Sequence, residues 1–458
     1  MAGEFADFLL SLLSSRSEYA EVRFMREEGK SVSFNRGEYE GMDRSVSSGY
    51  AIRALNRSIS MGFIDREDRG LARDVVEKVI RTSMKPGKNR IWVGKAVKDR
   101  WSAGTDTEMD TADMLSFVRD MDRHAMNEGA QVSTHAMSVG RRFEHFVNTA
   151  GTDIEGEVVR TQYFYVIGVV EEGEFEQSFE QFGTTQGRRY FDGLSLMERI
   201  SEDIRGLRES TVAPRVERGY FDVVVGPEIS GIVAHESCGH PTEYDRIVGR
   251  EGAQAGESFL TGKPIPYRIG SDSVTVVDDP TMEGSFGYYK YDDEGVPARK
   301  RYLYRHGMTN EFILNRESAS LLGLESNGGG RSSAWNMEPL ARMSTTYIEP
   351  GDHSFEELFE GISRGIYIKS FTEWNIDDIR LHEKYVGKDA YLIERGDIVG
   401  RVRRPVIETD TISFYSAVDA VGKDLEFSAG TCGKGDPEQG VEVWMGGPHM
   451  RLRHIYIK

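Results

Sequence analysis

The sequence predicts an α+β protein: amino-terminal helices packed on a mostly antiparallel sheet, then a carboxy-terminal β-rich domain, barrel-like or a sandwich, that carries one buried helix. Before about residue 210, segments with the period-two alternation of strands are interspersed with segments whose apolar residues recur at helical spacing. After about residue 218, most segments have the pattern of strands separated by glycine turns. Between them, TVAPRVE (211–217) places a helix-breaking proline among charges. We therefore predict domains at 1–214 and 215–458.

Local patterns predict each element of 1–214. The start, MAGEFADFLLSLLSSRSEY, spaces its apolar residues as an amphipathic helix docked on a domain. A second helix is predicted in LARDVVEKVIRTSMK, and Asp110 can cap a third. The inward face of that third helix comprises Met114, Phe117, Val118 and Met121. Strands are predicted in YAEVRF, KSVSFNRG, SGYAIRALN and SISMGFID and across 131–187, before a last helix near 194–207.

The second part is predicted to open on the strand YFDVVV, which ends at Gly226. Pro227 suits the first position of a helix, because the N–H that proline lacks would have no helical partner there. This helix is predicted to run through PEISGIVAHESCGH and to be buried, since Ile229, Ile232 and Val233 share one face. Further strands are predicted in SVTVVDD, KRYLYRHG, TTYIEPG, GIYIKSF, DAYLIERGDIVG and EVWMGGP.

Composition narrows the class of protein. A chain of 458 residues is long enough for two or three domains, each with its own core. The net charge of −18 argues against a binder of nucleic acid or anionic membranes, since affinity for phosphate needs a positive surface. The only cysteines are Cys238 and Cys432, so a disulfide framework is excluded. No apolar run approaches the ~20 residues that span a bilayer, and no secretory signal is apparent. We expect a cytoplasmic protein.

The stretch HESCGHP (235–241) holds two histidines and a glutamate that can form a metal site. In the familiar zinc-binding helix the histidines are four residues apart. Here His235 and His240 are five apart, which separates them by roughly 140° around a regular helix. Two local arrangements can bring them together. A π-type turn aligns residues five apart, or Gly239 and Pro241 end the helix and swing His240 back.

Glu236 supports the metal hypothesis, because it shares the apolar face of the predicted helix. A buried carboxylate needs a partner, and water on a bound zinc ion would provide one. Short motifs such as HExxxH also arise by chance, with each histidine then an ordinary core or surface residue. A catalytic zinc takes three protein ligands and keeps one open position, so a third ligand is required. The candidates by residue type include Cys238, Glu243, Asp245, His306, His353, His382 and Cys432.

Several segments together resemble the TldD/PmbA family. They are VSFNRGEYE and GYAIRAL, then HESCGHPTEYD, YDDEGVPARK, LNRESASLLG, MEPLARMSTTYIEPGD, SAGTCGKG and VEVWMGGPHMRLRHI. They follow the family's order and cover most of the chain. The TldD-like branch of that family carries HExxxH, which is intact here, so the chain is similar to that branch.

The resemblance implies a zinc-dependent peptidase that acts on unfolded or short peptides and holds one zinc ion per catalytic subunit on the buried helix. By matching positions, it implies the ligands His235, His240 and Cys432, with Glu236 as the general base that activates water. It also implies dimers that enclose the active site in a tunnel. These are homodimers or heterodimers with a PmbA-like subunit.

Two other functions remain as alternatives. Cys432 can be the nucleophile of a thiol amidase, with a histidine as its base. The chain can also be a non-catalytic regulatory or binding subunit of a TldD/PmbA-type complex, although the intact HExxxH weighs against that interpretation. Chelators would inactivate a metallopeptidase, whereas thiol alkylation in zinc-free buffer would selectively inactivate an amidase.

The β-rich second domain is expected to offer sheet edges to a peptide. An extended peptide can add to a sheet edge through its main chain, which favours unfolded substrates over particular sequences.

The acidic run DDEG (292–295) can hold a cation, but we predict a solvated turn instead.

Overall fold

The computed structural model describes residues 2–105, 109–251 and 256–458. The described residues form the predicted α+β fold. One seven-stranded sheet comes from the first part of the chain, and a six-stranded sheet, a second seven-stranded sheet and a two-stranded pair come from the rest. The exact residue that separates the two domains stays a prediction.

The first sheet contains the segments predicted as strands, but YAEVRF and KSVSFNRG form one continuous strand instead of two, and the strand at 98–103 was not predicted. The strands of this sheet are β1 (Tyr19–Asn35), β2 (Glu38–Leu55), β3 (Ile59–Ile64), β4 (Lys98–Ala103), β5 (Val132–Asn148), β6 (Asp153–Glu171) and β7 (Glu174–Thr184). Their order is β3-β2-β1-β5-β6, with β4 parallel to the first part of β6 and β7 antiparallel to the last part. Among the described residues β7 pairs with β6 alone, so it forms an edge of the sheet.

In the described part of the chain, five helices cover the first sheet: α1 (Ala2–Ser14), α2 (Arg69–Ser83), α3 (Thr111–Asn127), α4 (Arg188–Asp192) and α5 (Leu196–Val212). The predicted cap of α3 is confirmed, because the Asp113 N–H donates to the carboxylate of Asp110 at 2.8 Å. The four apolar residues predicted to face inward from α3 are buried. None of the helices in the described part of the chain is long and apolar enough to cross a membrane.

The second part of the chain is dominated by strands, as predicted. The strands are β8 (Gly219–Val225), β9 (Val276–Asp278), β10 (Arg301–Arg305), β11 (Met308–Thr309), β12 (Gly330–Arg331), β13 (Leu340–Ala341), β14 (Thr345–Ile348), β15 (Arg364–Ile376), β16 (His382–Glu394), β17 (Asp397–Arg401), β18 (Val406–Asp410), β19 (Val418–Val421), β20 (Glu426–Lys434), β21 (Gln439–Gly447) and β22 (Met450–Ile457). The helices are α6 (Pro227–Ala234), a π-helix (His235–Gly239), α7 (His240–Thr242), α8 (Tyr244–Ile247), α9 (Arg316–Leu322), a 3-10 turn (Glu356–Leu358) and α10 (Thr411–Ala417).

Two sheets organise this part. Strands β15, β8, β22, β18 and β16 pair in that order, and β16 pairs back to β15, so the sheet closes into a barrel. The six-stranded sheet has the order β11-β10-β9-β14-β21-β20. Among the described residues β20 pairs with β21 alone and therefore forms an edge of that sheet.

Helix α6 lies between the barrel and the six-stranded sheet, since it packs against β15 of the barrel and against β14, β20 and β21. A Cβ atom at Gly231 would lie 2.9 Å from the backbone nitrogen of Gly446, so the absence of a side chain permits this close approach. Ile229 and Val233 are fully buried in the shared core. The turn that follows α6 is consequently buried as well.

The acidic run at 292–295 joins the two parts of the chain. Asp292, Asp293 and Glu294 are all buried. Arg53 on β2 pairs with Glu294 at 2.7 Å, and the backbone and hydroxyl groups of Ser332 donate to Asp293. The predicted solvated turn is therefore wrong. These carboxylates are buried because arginine and backbone N–H groups from distant segments satisfy them.

Candidate metal centre

The helix after α6 changes its winding where the two histidines lie. Over His235–Gly239 it is a π-helix, in which the N–H of His240 donates to the carbonyl of His235, five residues earlier. The two imidazole rings are consequently close, with centroids 4.9 Å apart and planes at 83°. The predicted π-type turn is confirmed. The alternative, in which the helix ends at this point, is wrong because α7 continues to Thr242.

Hydroxyl groups stabilise the π-helix, because a wider turn leaves carbonyl groups without their usual helical donors. The Tyr304 hydroxyl donates to the carbonyl of Ser237 at 3.1 Å. The Thr242 hydroxyl donates to the carbonyls of Cys238 and Gly239 at 2.9 and 2.8 Å. The irregular turn is thus built into the surrounding structure.

A side chain at position 239 would collide with its neighbour. A Cβ atom on Gly239 would lie 1.6 Å from the sulfur of Met343, and both residues are buried.

We expect Gly239→Ala to destabilise the fold by about 1–3 kcal/mol through overpacking and to displace His240, which follows directly. Thermal unfolding and metal binding of the variant measure the two effects. Gly140→Ala is the matched control, since a Cβ atom there meets nothing within 4 Å. Unchanged unfolding and metal binding in Gly239→Ala would contradict this packing argument.

Cys432 joins the two histidines from β20. One potential ligand atom each from His235, His240 and Cys432 lies within 4.8 Å of the other two. The sulfur of Cys432 is 3.4 Å from Nε2 of His240. The three residues are only 3, 3 and 6% exposed, so an ion among them would be shielded from bulk water. The structure thus brings together three of the residues that the sequence offered as ligands.

The other candidate ligands make contacts elsewhere. Cys238 is buried on the π-helix with its thiol near Tyr304. His306, His353 and His382 contact the Asp272 carbonyl, the Asp352 carboxylate and the Asp377 carboxylate, respectively. Glu243 and Asp245 belong to a buried ionic network around Lys434.

Glu243 orients His240 through the imidazole nitrogen that faces away from Cys432. Its Oε2 lies 3.0 Å from Nδ1 of His240, and it also accepts from Arg246 at 2.7 Å and Lys434 at 3.2 Å. Burial raises the pKa of Glu243, but Lys434, His240 and Arg246 outweigh burial and hold the pKa well below its usual range. The carboxylate therefore fixes the His240 ring and leaves Nε2 for a ligand, a common arrangement around metals.

Replacing Glu243 with glutamine is expected to weaken metal binding about 10- to 100-fold, the usual cost of losing a carboxylate behind a histidine ligand. Competition with a chromophoric chelator measures this affinity. Asp245→Asn is the matched control, because Asp245 contacts Lys434 at 2.6 Å in the same buried network. Equal weakening in both variants would assign the effect to the network rather than to the orientation of His240.

The protonation states in the cluster favour metal binding. Burial lowers the pKa of both His235 and His240, which makes either ring easier to deprotonate. Burial raises the pKa of the Cys432 thiol, but the neighbouring His240 and Arg342 outweigh it and bring the pKa to about 7. Neutral imidazole and thiolate are the forms that coordinate metals.

Glu236 has a partner that the sequence did not reveal. It is 3% exposed, and its Oε2 accepts a hydrogen bond from Nη1 of Arg380 at 2.6 Å. From the sequence, the only expected partner of Glu236 is water on a bound metal ion. No local pattern indicated Arg380, because it lies 144 residues from Glu236.

The residues present fit a transition-metal ion. The buried Nδ1 of His235 has no hydrogen-bond partner among the described residues. Such an orphaned polar atom costs about 1–3 kcal/mol, which coordination or a hydrogen bond would relieve. Two imidazoles and one thiolate form a donor set that suits zinc and leaves a fourth position open.

The cluster lies in the wall of a cleft of about 530 Å³ that both parts of the chain form. Residues 177–181 on β7 and residues 428–433 on β20 line it together with the π-helix. Both of these are edge strands among the described residues. Phe179 and Trp374, which are 59 and 39% exposed, add apolar surface to the cleft. The site is therefore open to a ligand larger than water.

The second part of the chain thus places two histidines and one cysteine in a buried cluster. This cluster and a neighbouring glutamate lie in the wall of a cleft. Residues 218–458 match the PmbA/TldA metallopeptidase C-terminal domain. The chain is 30% identical over 465 residues, covering 98% of each protein, to a Methanothermobacter thermautotrophicus protein named metalloprotease. The chain belongs to the PmbA/TldD family, which confirms the resemblance read from the sequence.

A second relative and a solved structure are also similar to this chain. A Saccharolobus solfataricus protein named zinc metalloprotease TldD homolog is 29% identical over 296 residues, 64% of this chain and 63% of that protein. The crystal structure of TldE from Thermococcus kodakarensis superimposes with a TM-score of 0.80 at 17% identity over 99% of both chains. At that identity the likeness establishes the fold.

Proposed function

We propose that this chain is a zinc-dependent metallopeptidase that hydrolyses peptide bonds in unfolded or short peptides. The observation that carries the proposal is the buried cluster of His235, His240 and Cys432 in the wall of a cleft. These three residues would hold one zinc ion, and Glu236 would be the general base. The relatives named as metalloproteases support the same class of activity.

The chain's residues have distinct roles in this proposal. A zinc ion, when bound, supplies Lewis-acid chemistry that acidifies water and polarises a peptide carbonyl. Glu236 accepts a proton from the attacking water and then delivers it to the leaving nitrogen as the C–N bond breaks. Glu243 keeps the ring of His240 oriented. Burial of all these groups excludes bulk water and strengthens their electrostatic interactions.

Two edge strands support an extended peptide as the substrate. Both β7 and β20 line the cleft, and each pairs with only one neighbour among the described residues. A peptide placed beside such an edge can form main-chain hydrogen bonds whatever its sequence. Folded proteins have few free segments of this kind. We therefore propose that the enzyme selects unfolded chains over particular sequences.

We also propose that the chain works as a homodimer or as a heterodimer with a PmbA-like subunit. Family membership supports this proposal. Mass photometry of the purified chain, alone and mixed with a PmbA-like protein from the same organism, would measure the assembly. A chain that stays monomeric in both samples would contradict it.

Cleavage of an unfolded peptide before and after removal of metal tests the proposed activity. Zinc-loaded protein, alone or with a PmbA-like partner, should cleave reduced, unfolded casein, whereas chelated protein should not until zinc is restored. A folded domain of similar size should resist. Activity that survives complete removal of metal would exclude a metallopeptidase. Inactivity in every sample would favour the regulatory-subunit alternative.

One observation favours the thiol amidase as the second candidate. The sulfur of Cys432, Nε2 of His240 and the carboxylate of Glu243 form a hydrogen-bonded series resembling a nucleophile, its base and an orienting acid. His235 and Glu236 lie beside this series, and their position favours the metallopeptidase over the amidase. Iodoacetamide applied to metal-free protein, followed by removal of reagent and assay without metal, separates the two. Only an amidase would be active before alkylation and inactive after it.

A further inference from the structure

The Glu236–Arg380 pair is an isolated ion pair inside the candidate site. Arg380 is 9% exposed and lines the cleft with Glu236. Among the described residues, Glu236 is the one carboxylate in an ion pair with Arg380, and no other side chain donates a hydrogen bond to Glu236. The Nε of Arg380 is buried without a partner among the same residues. The arginine is thus directed at this single carboxylate.

Arg380 has a backbone conformation that is uncommon for a residue other than glycine. It lies in the turn between β15 and β16 with a φ of 63°, in the left-handed region that strains a residue other than glycine. Its N–H donates to the carbonyl of Asp377 at 3.0 Å, and the next N–H, of Leu381, donates to the Asp377 carboxylate at 2.7 Å. The Thr411 hydroxyl donates to the Arg380 carbonyl at 3.3 Å. These contacts from Asp377 and Thr411 hold the backbone of Arg380 in this conformation.

Stability of the fold does not account for this pair. Moving two charges out of water costs about as much as their attraction returns, so buried ion pairs contribute little net stability. The strained turn adds a further cost. A role at the site explains why both costs are tolerated.

We propose that Arg380 is a positioning residue of the peptidase site. Its guanidinium group holds the Glu236 carboxylate in one place and orientation beside the proposed metal ligands. This inference rests on the proposed function, in which Glu236 must meet a water molecule at a defined point. Without Arg380, the carboxylate would be free to rotate, because the other described side chains offer it no hydrogen bond. A displacement of about 1 Å in a catalytic group can cost roughly 100-fold in rate.

Kinetics of Arg380→Ala and Arg380→Lys test the role of the guanidinium. For Arg380→Ala we expect kcat to fall about 100-fold with little change in KM, while zinc content stays at the wild-type level. Added guanidinium chloride should restore part of the activity of Arg380→Ala, and Arg380→Lys should be intermediate. In a Glu236→Gln background, Arg380→Ala should cause no further loss, because the group that it positions is already inactive.

Arg395→Ala is the matched control for the backbone, since Arg395 also has a positive φ, of 53°, in an exposed turn. It should behave as wild type. An equal loss on Arg380→Ala in both backgrounds would overturn positioning in favour of a structural role. A rise in KM confined to peptides with a free carboxy terminus, absent for amidated peptides, would overturn it in favour of binding the substrate carboxylate.

Crystal structures of zinc-loaded wild type and Arg380→Ala provide a test that needs no turnover. The wild type should show Glu236 in a single conformer on Arg380, and the variant should show it displaced or in several conformers. An unmoved Glu236 in the variant would overturn the inference. If the wild type cleaves no peptide, the proposed function fails, while this comparison still decides whether Arg380 positions Glu236.

Discussion

Glu236→Gln is expected to lower kcat/KM for peptide hydrolysis about 10²- to 10⁴-fold, the usual contribution of a general base. Glutamine keeps the shape of the side chain and an oxygen that can accept from Arg380, but it cannot take a proton from water. The zinc content should not change, because Glu236 is not among the three proposed ligands. The rate of cleavage of a quenched fluorescent peptide, with metal content measured in the same sample, checks both parts.

A suitable control for this variant is Glu349→Gln, since Glu349 is a glutamate in an ion pair with Lys300 outside the cleft lining. It should cleave at the wild-type rate. A Glu236→Gln variant that cleaves equally fast would remove Glu236 from the mechanism. A variant that has lost its zinc would show instead that Glu236 contributes to holding the metal.

Cys432→Ala is expected to release most of the zinc and, with it, the activity. The thiolate supplies one of only three protein ligands, so its loss should exceed the about 10- to 100-fold cost of losing a group behind a ligand. Elemental analysis after dialysis against a weak chelator would measure zinc per chain. The wild type should retain one zinc ion and the variant little or none.

The other cysteine provides the control for this prediction. Cys238 is fully buried on the π-helix and lies outside the cluster. Cys238→Ala should therefore retain zinc at the wild-type stoichiometry. Full retention of zinc by Cys432→Ala would exclude Cys432 as a ligand, and loss of zinc from both variants would point to general destabilisation.

The sequence predicted features that depend on neighbours along the chain. The five-residue spacing of His235 and His240 required a local irregularity, and the π-helix provides it. The cap at Asp110 and the inward face of its helix were likewise local. Period-two alternation indicated every strand of the first sheet except β4, because each strand pattern is contained within a few residues.

Contacts between segments that are distant in sequence could not be predicted from such local patterns. The charges at 292–295 read as a solvated turn because Arg53 and Ser332, which satisfy them, lie far away in sequence. Arg380 was missed for the same reason. The resemblance to the family, rather than any periodicity, selected Cys432 from the candidate ligands. Glu243 was among the candidate ligands by residue type, but it lies behind His240 instead of among the three clustered ligands.

X-ray absorption spectroscopy of the zinc-loaded protein tests the central claim most directly. The proposed site predicts one zinc–sulfur distance near 2.3 Å and two zinc–imidazole distances of about 2.0–2.1 Å. The sulfur contribution should persist in Cys238→Ala. A zinc shell made only of nitrogen and oxygen, in protein that holds one zinc ion per chain, would contradict a centre built from His235, His240 and Cys432.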